Sequence, residues 1–476
     1  MTLQHTPRVP RMASQPARHT SPRVATSRHR WGALLLAAAM AGLGGCGKTE
    51  VTPTSTPAPT TAPAPLSAPS ATPAMRAAAP ASDTPAARAA IDAFLQSHWA
   101  RPADGSGIRA SGPGLEGAAL DVAACAACHP AQFADWRHSL HSRAMGPGVA
   151  GQLVTMVAAD PASGESCTRC HAPLAEQTRS LEKSVRSRPP ATATTPSAGT
   201  PADRLHERGL MCASCHVRNG QVFGPPRRDG STPGAGETAS ALHRWSASTA
   251  FESSRFCATC HQFEPDGFAL NGKLLENTLN EWQASRYARE GVSCQSCHMP
   301  DRRHLWRGIH DPDMVRRALT IEVTRPTPAD GGLAAHLRIR NTGAGHFFPT
   351  YVTPRVFVQA YQQDRDGREL PATRQQWTIA RDVKLDLSAE IADTRIPPDG
   401  QAEFDYRAPR HAGAATLVLR LWVEPDAFYR EFYESLLASG QAGAGQAQIE
   451  QAHRDASGSG FVAWTEKIVL PGATKP

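Results

Sequence analysis

The last third of the chain alternates apolar and polar residues with a period of two. The segments A-L-T-I-E-V-T, A-A-H-L-R-I-R-N, R-V-F-V-Q-A-Y, A-E-F-D-Y-R-A and A-T-L-V-L-R-L-W-V each turn every second side chain to one face, the pattern of half-buried strands. Turn formers separate them at Asp330-Gly331-Gly332, Asp366-Gly367 and Pro397-Pro398-Asp399-Gly400. Short strands at that spacing predict a small β-sandwich, with a helix near 426–438 after it. Ahead of residue 318 the pattern changes. A helix is predicted over 84–98, where Thr84 can cap and Pro85 takes the first helical position. Further helices are predicted over 130–144, after Pro130, and over 274–289. The rest of that region is loop-rich, with Pro/Gly/Ser/Thr patches near 185–202 and 223–238 that read as insertions. The stretch from Thr49 to about Ser82 is nearly all Pro, Ala, Thr and Ser and cannot bury enough apolar surface to fold. Extended in polyproline form at ~3.1 Å per residue, it would reach roughly 100 Å. The expected class is α+β: a loop-rich, partly helical domain over 83–317, then a small β-sandwich-like domain over 318–476.

Residues 31–45 form an apolar run behind six arginines and no acid, too short and Gly-rich to span a bilayer, so 1–45 reads as a signal peptide. It ends Leu43-Gly44-Gly45-Cys46, similar to the lipobox of bacterial lipoproteins. That resemblance implies a lipid chain on Cys46, with 46–82 as a disordered tether. The residue after Cys46 is Gly47 rather than an inner-membrane retention Asp, which implies a periplasmic, outer-membrane location. Six of the seven excess positive charges of the chain are the leader arginines, so the mature protein is close to neutral. A basic surface for nucleic acid is therefore not expected.

Ten of the eleven cysteines fall into five C-x-x-C-H units: Cys125/Cys128/His129, Cys167/Cys170/His171, Cys212/Cys215/His216, Cys257/Cys260/His261 and Cys294/Cys297/His298. Two thiols three residues apart can add to both vinyl groups of one haem, and the next residue can turn its imidazole to the iron. Disulfides, zinc ribbons and redox dithiols also use paired cysteines but do not require the histidine. Chance would supply about 0.01 such motifs in a chain of this composition. Five covalently bound haem c groups are expected, and their propionates would leave the holoprotein with an excess of roughly four or more negative charges. About 185 residues would serve five cofactors, roughly 37 each, so the macrocycles must supply much of the core and lie close together.

A haem that only transfers electrons has both axial positions filled, and spare histidines are plentiful. The segments C-A-A-C-H-P-A-Q-F-A-D-W-R-H-S-L-H-S-R-A-M, L-M-C-A-S-C-H, E-S-S-R-F-C-A-T-C-H and N-E-W-Q-A-S-R-Y-A-R-E-G-V-S-C-Q-S-C-H-M-P resemble the multihaem cytochromes related to the tetrahaem cytochrome of ammonia oxidisers and to hydroxylamine oxidoreductase, over about residues 120–350. In that family the His of W-x-x-S-x-H-x-x-A is a distal ligand, which implies His141 here. G-I-H-D-P-D-M-V and G-A-G-H-F-F-P-T are similar to its ligand segments and imply His310 and His346. His206 and His243 complete the set, with His304 in reserve. Met145 and Met299 read as packing residues rather than sulfur ligands.

The expected role is electron transfer between redox proteins or quinol-linked membrane complexes. Two other readings stay open: an oxidoreductase of small nitrogen or sulfur oxyanions with one open haem, and a cytochrome that docks through its β domain. No C-x-x-C-K motif occurs. Trp377, Trp422, Phe428, Tyr429 and Tyr433 read as core before they read as a docking surface.

Overall fold

The computed structural model describes residues 84–105, 120, 122–186, 201–232, 245–329 and 332–471. The leader, Cys46, the tether and His243 lie outside the described residues. Among these residues no helix is long and apolar enough to cross a membrane.

The structure combines helix and sheet, as α+β requires. Pro85–His98 is a helix, capped by the Thr84 side chain accepting from the Ala87 amide. Four of the C-x-x-C-H units end short helices: Pro161–His171, Cys212–His216, Ser254–His261 and Cys294–His298. The first spans the end of Val122–Ala126 and the turn after it. The expected helix over 130–144 stops at Trp136, and a 3-10 turn His141–Arg143 follows. Ser139 explains the break, because its hydroxyl donates to Trp136 O (2.7 Å) and accepts from the Ser142 amide (3.3 Å), local bonds that compete with the helix. The expected helix over 274–289 is likewise two, Thr278–Ala284 and Arg286–Arg289, divided where Ser285 Oγ donates to Trp282 O (2.7 Å).

All five strands anticipated from the alternation are present. Leu319–Ala329, Gly332–Asn341 and Gln401–Pro409 form an antiparallel sheet with Gly332–Asn341 in the centre. A four-stranded antiparallel sheet has the order Phe461–Val469, Thr416–Glu424, Arg355–Gln363, Gln375–Ile379. Its two outer strands were not anticipated. Leu337 and Ile339 of the first sheet pack with Val356, Val358, Leu421 and Val423 of the second, so the apolar core lies between the two.

Three contacts fix this sandwich to the helical region. The helices Ala427–Ala438 and Gln446–Ser457 return to Pro147–Ala159, where Gly148 and Gly151 admit Tyr433 and Ile449. Arg381, 1% exposed, pairs with Glu390 and donates to the carbonyls of Leu274 (2.7 Å) and Lys273 (2.9 Å). Arg395 meets Glu281 at 3.2 Å, both side chains buried, and donates to Thr350 O at 2.6 Å. A buried pair with its remaining lone pairs satisfied is tolerable, and here Glu281 also accepts from the Phe347 amide (3.0 Å).

Candidate haem-binding core

Four of the motif histidines share one construction. The Nδ1–H of His171 donates to Ala144 O (2.6 Å), that of His216 to Phe223 O (2.8 Å) and that of His298 to Arg307 O (2.5 Å). A carbonyl can only accept, so the proton sits on Nδ1 and Nε2 keeps its lone pair for a metal. His261 follows the same rule with a different acceptor, the Tyr351 hydroxyl at 2.5 Å. Burial keeps the rings neutral: it lowers His216 and His261 to about 4 and lowers His171 and His298 as well. These rings nevertheless keep part of their surface accessible, so they line internal space.

The first motif is more accessible than the other four. Cys128 is exposed, whereas the other nine motif cysteines are partly buried, and His129 is exposed with it. The local backbone gives the reason. The helix Val122–Ala126 ends before Cys128, and the amides of Cys128 (3.2 Å) and His129 (2.9 Å) both donate to the Cys125 carbonyl in the turn that follows. Pro130, which has no amide to donate, then opens the next helix, Pro130–Trp136, so Cys128 sits on an outer corner between two helices. Cys125, one turn earlier, points inward and lies near Cys212. This motif therefore offers one sulfur from the interior and one from the surface.

Across the internal space three of the other motif histidines face a second imidazole. Ring centres lie 6.2 Å apart for His261 and His141, 6.3 Å for His298 and His346, and 6.1 Å for His216 and His304. An imidazole–metal bond of ~2.0 Å on each side, plus ~1.1 Å from ring nitrogen to ring centre, gives ~6.2 Å, so one iron fits between each pair. Burial lowers His141 to about 3 and also lowers His304 and His346.

His141 and His304 are held by structure distant in sequence, and His346 by its own loop. The His141 carbonyl accepts from the Leu210 amide (2.9 Å), and Trp136 Nε1 donates to Leu210 O (2.6 Å). Asp135 pairs with Arg303 (2.6 Å) and accepts from the His304 amide (3.1 Å), which fixes the segment that carries His304. The Trp306 ring packs edge-on against both His141 and His304. His346 comes from the loop between the strands Gly332–Asn341 and Arg355–Gln363, with its carbonyl accepting from Asn341 Nδ2 (2.9 Å) and its Nδ1 on Phe347 O (2.9 Å). The sandwich thus contributes an imidazole to the helical region.

Two expected ligands are not brought opposite a motif histidine among the described residues. His206 is buried with Nδ1 on Ser180 Oγ (2.9 Å), and His310 places Nε2 on Asp426 (2.9 Å). His304, the residue in reserve, takes a facing position instead. The Asp135–Arg303 pair that orients it joins residues 168 apart in sequence and leaves no local signal. No imidazole faces His171 among the described residues. Tyr429 lies beside Cys167 of that site and is 37% accessible. Of the other aromatics weighed as a docking surface, Phe428 and Tyr433 are buried and Trp377 packs on Phe404.

The sites also adjoin one another. Cys125 lies near Cys212, Cys170 near Cys260 and Cys257 near Cys294, and Cys215 faces both Cys257 and Cys260 at longer range. No disulfide joins the ten motif cysteines to one another, and no described group of three or more His, Cys, Asp or Glu side chains is arranged to hold a bare metal ion. That donor set suits a porphyrin carried on two sulfurs and one imidazole better than a tetrahedral zinc site.

Comparison with known proteins agrees. A profile for cytochrome c554 and c-prime matches residues 124–217, which contain the first three motifs. The fold is similar to that of a penta-haem cytochrome c552 from Thermochromatium tepidum, at a TM-score of 0.50 and 18% identity, covering 73% of this chain and 97% of that one. No curated protein sequence matches the chain. Motifs, geometry and profile together support a multihaem c-type cytochrome with covalently bound haem c.

Proposed function

We propose that the chain is a pentahaem electron-transfer cytochrome in which the motif histidines are proximal ligands, with His141, His304 and His346 distal to the haems of His261, His216 and His298. The proximity of thiols from neighbouring motifs carries this reading, because macrocycles bound to adjoining cysteines lie edge to edge and pass electrons along the set. The exposure of Cys128 and His129 supports a first haem at the surface, where an electron enters or leaves that set. His243, expected as a further distal ligand, is not assigned to any one haem. The lipobox-like Leu43-Gly44-Gly45-Cys46 and the Pro/Ala/Thr tether support export and lipid anchoring, to the outer membrane, with redox proteins or quinol-linked complexes as partners. The purified protein is expected to exceed the processed polypeptide by five haem masses and to be reduced at every haem by a small-molecule donor. A smaller mass increment overturns the count.

A second reading is favoured by the His171 site. No imidazole lies opposite it among the described residues and Tyr429 lies beside Cys167, which suits a haem with one open face, as an oxidoreductase of small nitrogen or sulfur oxyanions requires. Low-temperature electron paramagnetic resonance tests it: a high-spin ferric signal that shifts with nitrite or hydroxylamine supports the open site. A wholly low-spin spectrum removes it.

A further inference from the structure

Three of the motif histidines rest Nδ1–H on a backbone carbonyl, a group whose protonation never changes. His261 alone among these rests it on a hydroxyl, and the hydroxyl belongs to Tyr351, which adjoins a buried acid. That acid is Glu276. Its carboxyl lies against the Tyr351 hydroxyl, and its Oε2 is buried with no hydrogen-bond partner.

The groups acting on Glu276 are Tyr351, Cys170 of the helix Pro161–His171, and Glu281 of the helix Thr278–Ala284. Tyr429 of the helix Ala427–Ala438 senses its charge in turn. None of these is a cation, and the nearby Arg395 is committed to Glu281 and Asp393. Burial is the largest effect on Glu276 and pushes it up to about 8, with the Tyr351 hydrogen bond opposing. A carboxyl in that range changes charge under physiological conditions. Thr278 also bonds the Tyr351 hydroxyl, which helps to hold the phenol between its two neighbours.

We propose that Glu276 is a redox-linked proton site for the haem on His261, acting through Tyr351. The inference rests on the reading of His261 as a haem ligand. With Glu276 ionised, the chain runs from His261 Nδ1–H to the Tyr351 oxygen and from the Tyr351 O–H to the carboxylate. That arrangement draws the imidazole proton away from the ring, makes the ligand more basic and favours ferric iron. On reduction, one electron from a reduced redox protein converts ferric to ferrous iron and one proton from solvent converts the Glu276 carboxylate to the acid. No other bond is made or broken. Glu276 is a positioning residue, since it reaches the iron only through two other side chains.

The test is a spectropotentiometric titration of the full-length holoprotein between pH 6 and pH 9.5, beside Glu276→Gln and Tyr351→Phe. One haem wave of the native protein is expected to move to lower potential as pH rises, by at most ~59 mV for each tenfold fall in proton activity. In both variants that wave should become pH-independent, with all haems still attached and the number of low-spin haems unchanged. The same movement persisting in Glu276→Gln, as haem propionates would produce, overturns the proposal, as does a native protein in which no wave moves. Were Glu276→Gln to lose haem, Tyr351→Phe gives the same reading. A native protein whose Cys257 and Cys260 carry no haem by peptide mass overturns the ligand reading and this proposal together, whereas intact loading with unaltered pH dependence overturns this proposal alone.

Discussion

The sandwich and the helical region are built on opposite plans. Between the two sheets the interior is the protein's own: Leu337, Ile339, Val356, Val358, Leu421 and Val423 interdigitate from alternating positions, nearly all of them fully buried. In the helical region the helices are short and the apolar clusters small, such as Met145, Leu153, Val157, Ala172 and Leu181. What lines the remaining space there is imidazole and thiol. A region whose interior consists of ligands has its core completed by what they ligate, so its order is coupled to the cofactor. A region of alternating Leu and Val carries its core with it.

The largest effect should come from replacing both cysteines of one motif. Cys257→Ala with Cys260→Ala removes the attachment points of the site that lies near Cys170 and Cys294 on either side. The expected product is one haem lighter, exchanges amide hydrogen quickly between residues 245 and 312, and keeps protection in the strands from 332 to 424. Equal loss of protection in both regions would break the contrast.

Next is the residue that crosses between them. His346→Ala should convert one low-spin ferric haem to high spin, read by electron paramagnetic resonance, while leaving the strands in place. His206→Ala, which removes a histidine bonded to Ser180, should leave every spin state as it was. The reverse pattern would return His206 to the ligand set. A third change falls wholly inside the sandwich: Leu421→Ala opens a cavity between the sheets and should cost about 2–5 kcal/mol in denaturant unfolding, with no change in the haem spectrum.

The same contrast governs what could be read in advance. The strands were legible because period two is a local signal, and the helix from Pro85 because Thr84 and Pro85 mark its start. The ten cysteines and their histidines were legible because the chemistry fixes their spacing, but spacing says nothing of depth: Cys128 repeats the motif of Cys260 and lies at the surface. Gln375–Ile379 and Phe461–Val469 carry a weaker signal because each pairs along one side only and keeps several exposed positions. On the side facing the motif histidines, placement depends on the whole fold. His141 and His346 lie opposite motif imidazoles, and the position of His304 opposite His216 depends on Asp135 meeting Arg303 across the fold. Tyr351 and Glu276 carried no signal, since their role follows from proximity to His261.

The smallest effect tests the junction between the two plans. Asp393 sits at the end of a two-stranded hairpin and accepts from Arg395 (2.9 Å) on the sandwich side and Lys273 (2.6 Å) on the helical side. Burial alone would raise its carboxyl, but the hydrogen bonds from Arg395 and Lys273 outweigh it and hold the group down at about 2, against an ordinary 3.8. For an acid depressed in the folded state, the stabilisation is complete above the unfolded value and is lost as pH falls through the folded one. Asp393→Asn should therefore unfold at lower urea concentration than the native protein at pH 6, with the gap closing between pH 4 and pH 2, followed by far-ultraviolet circular dichroism. The haem spectrum should not differ between the two at any pH where both are folded, because Asp393 joins the regions without touching a ligand. A gap that stays constant with pH would mean that the junction is held by shape rather than by this charge.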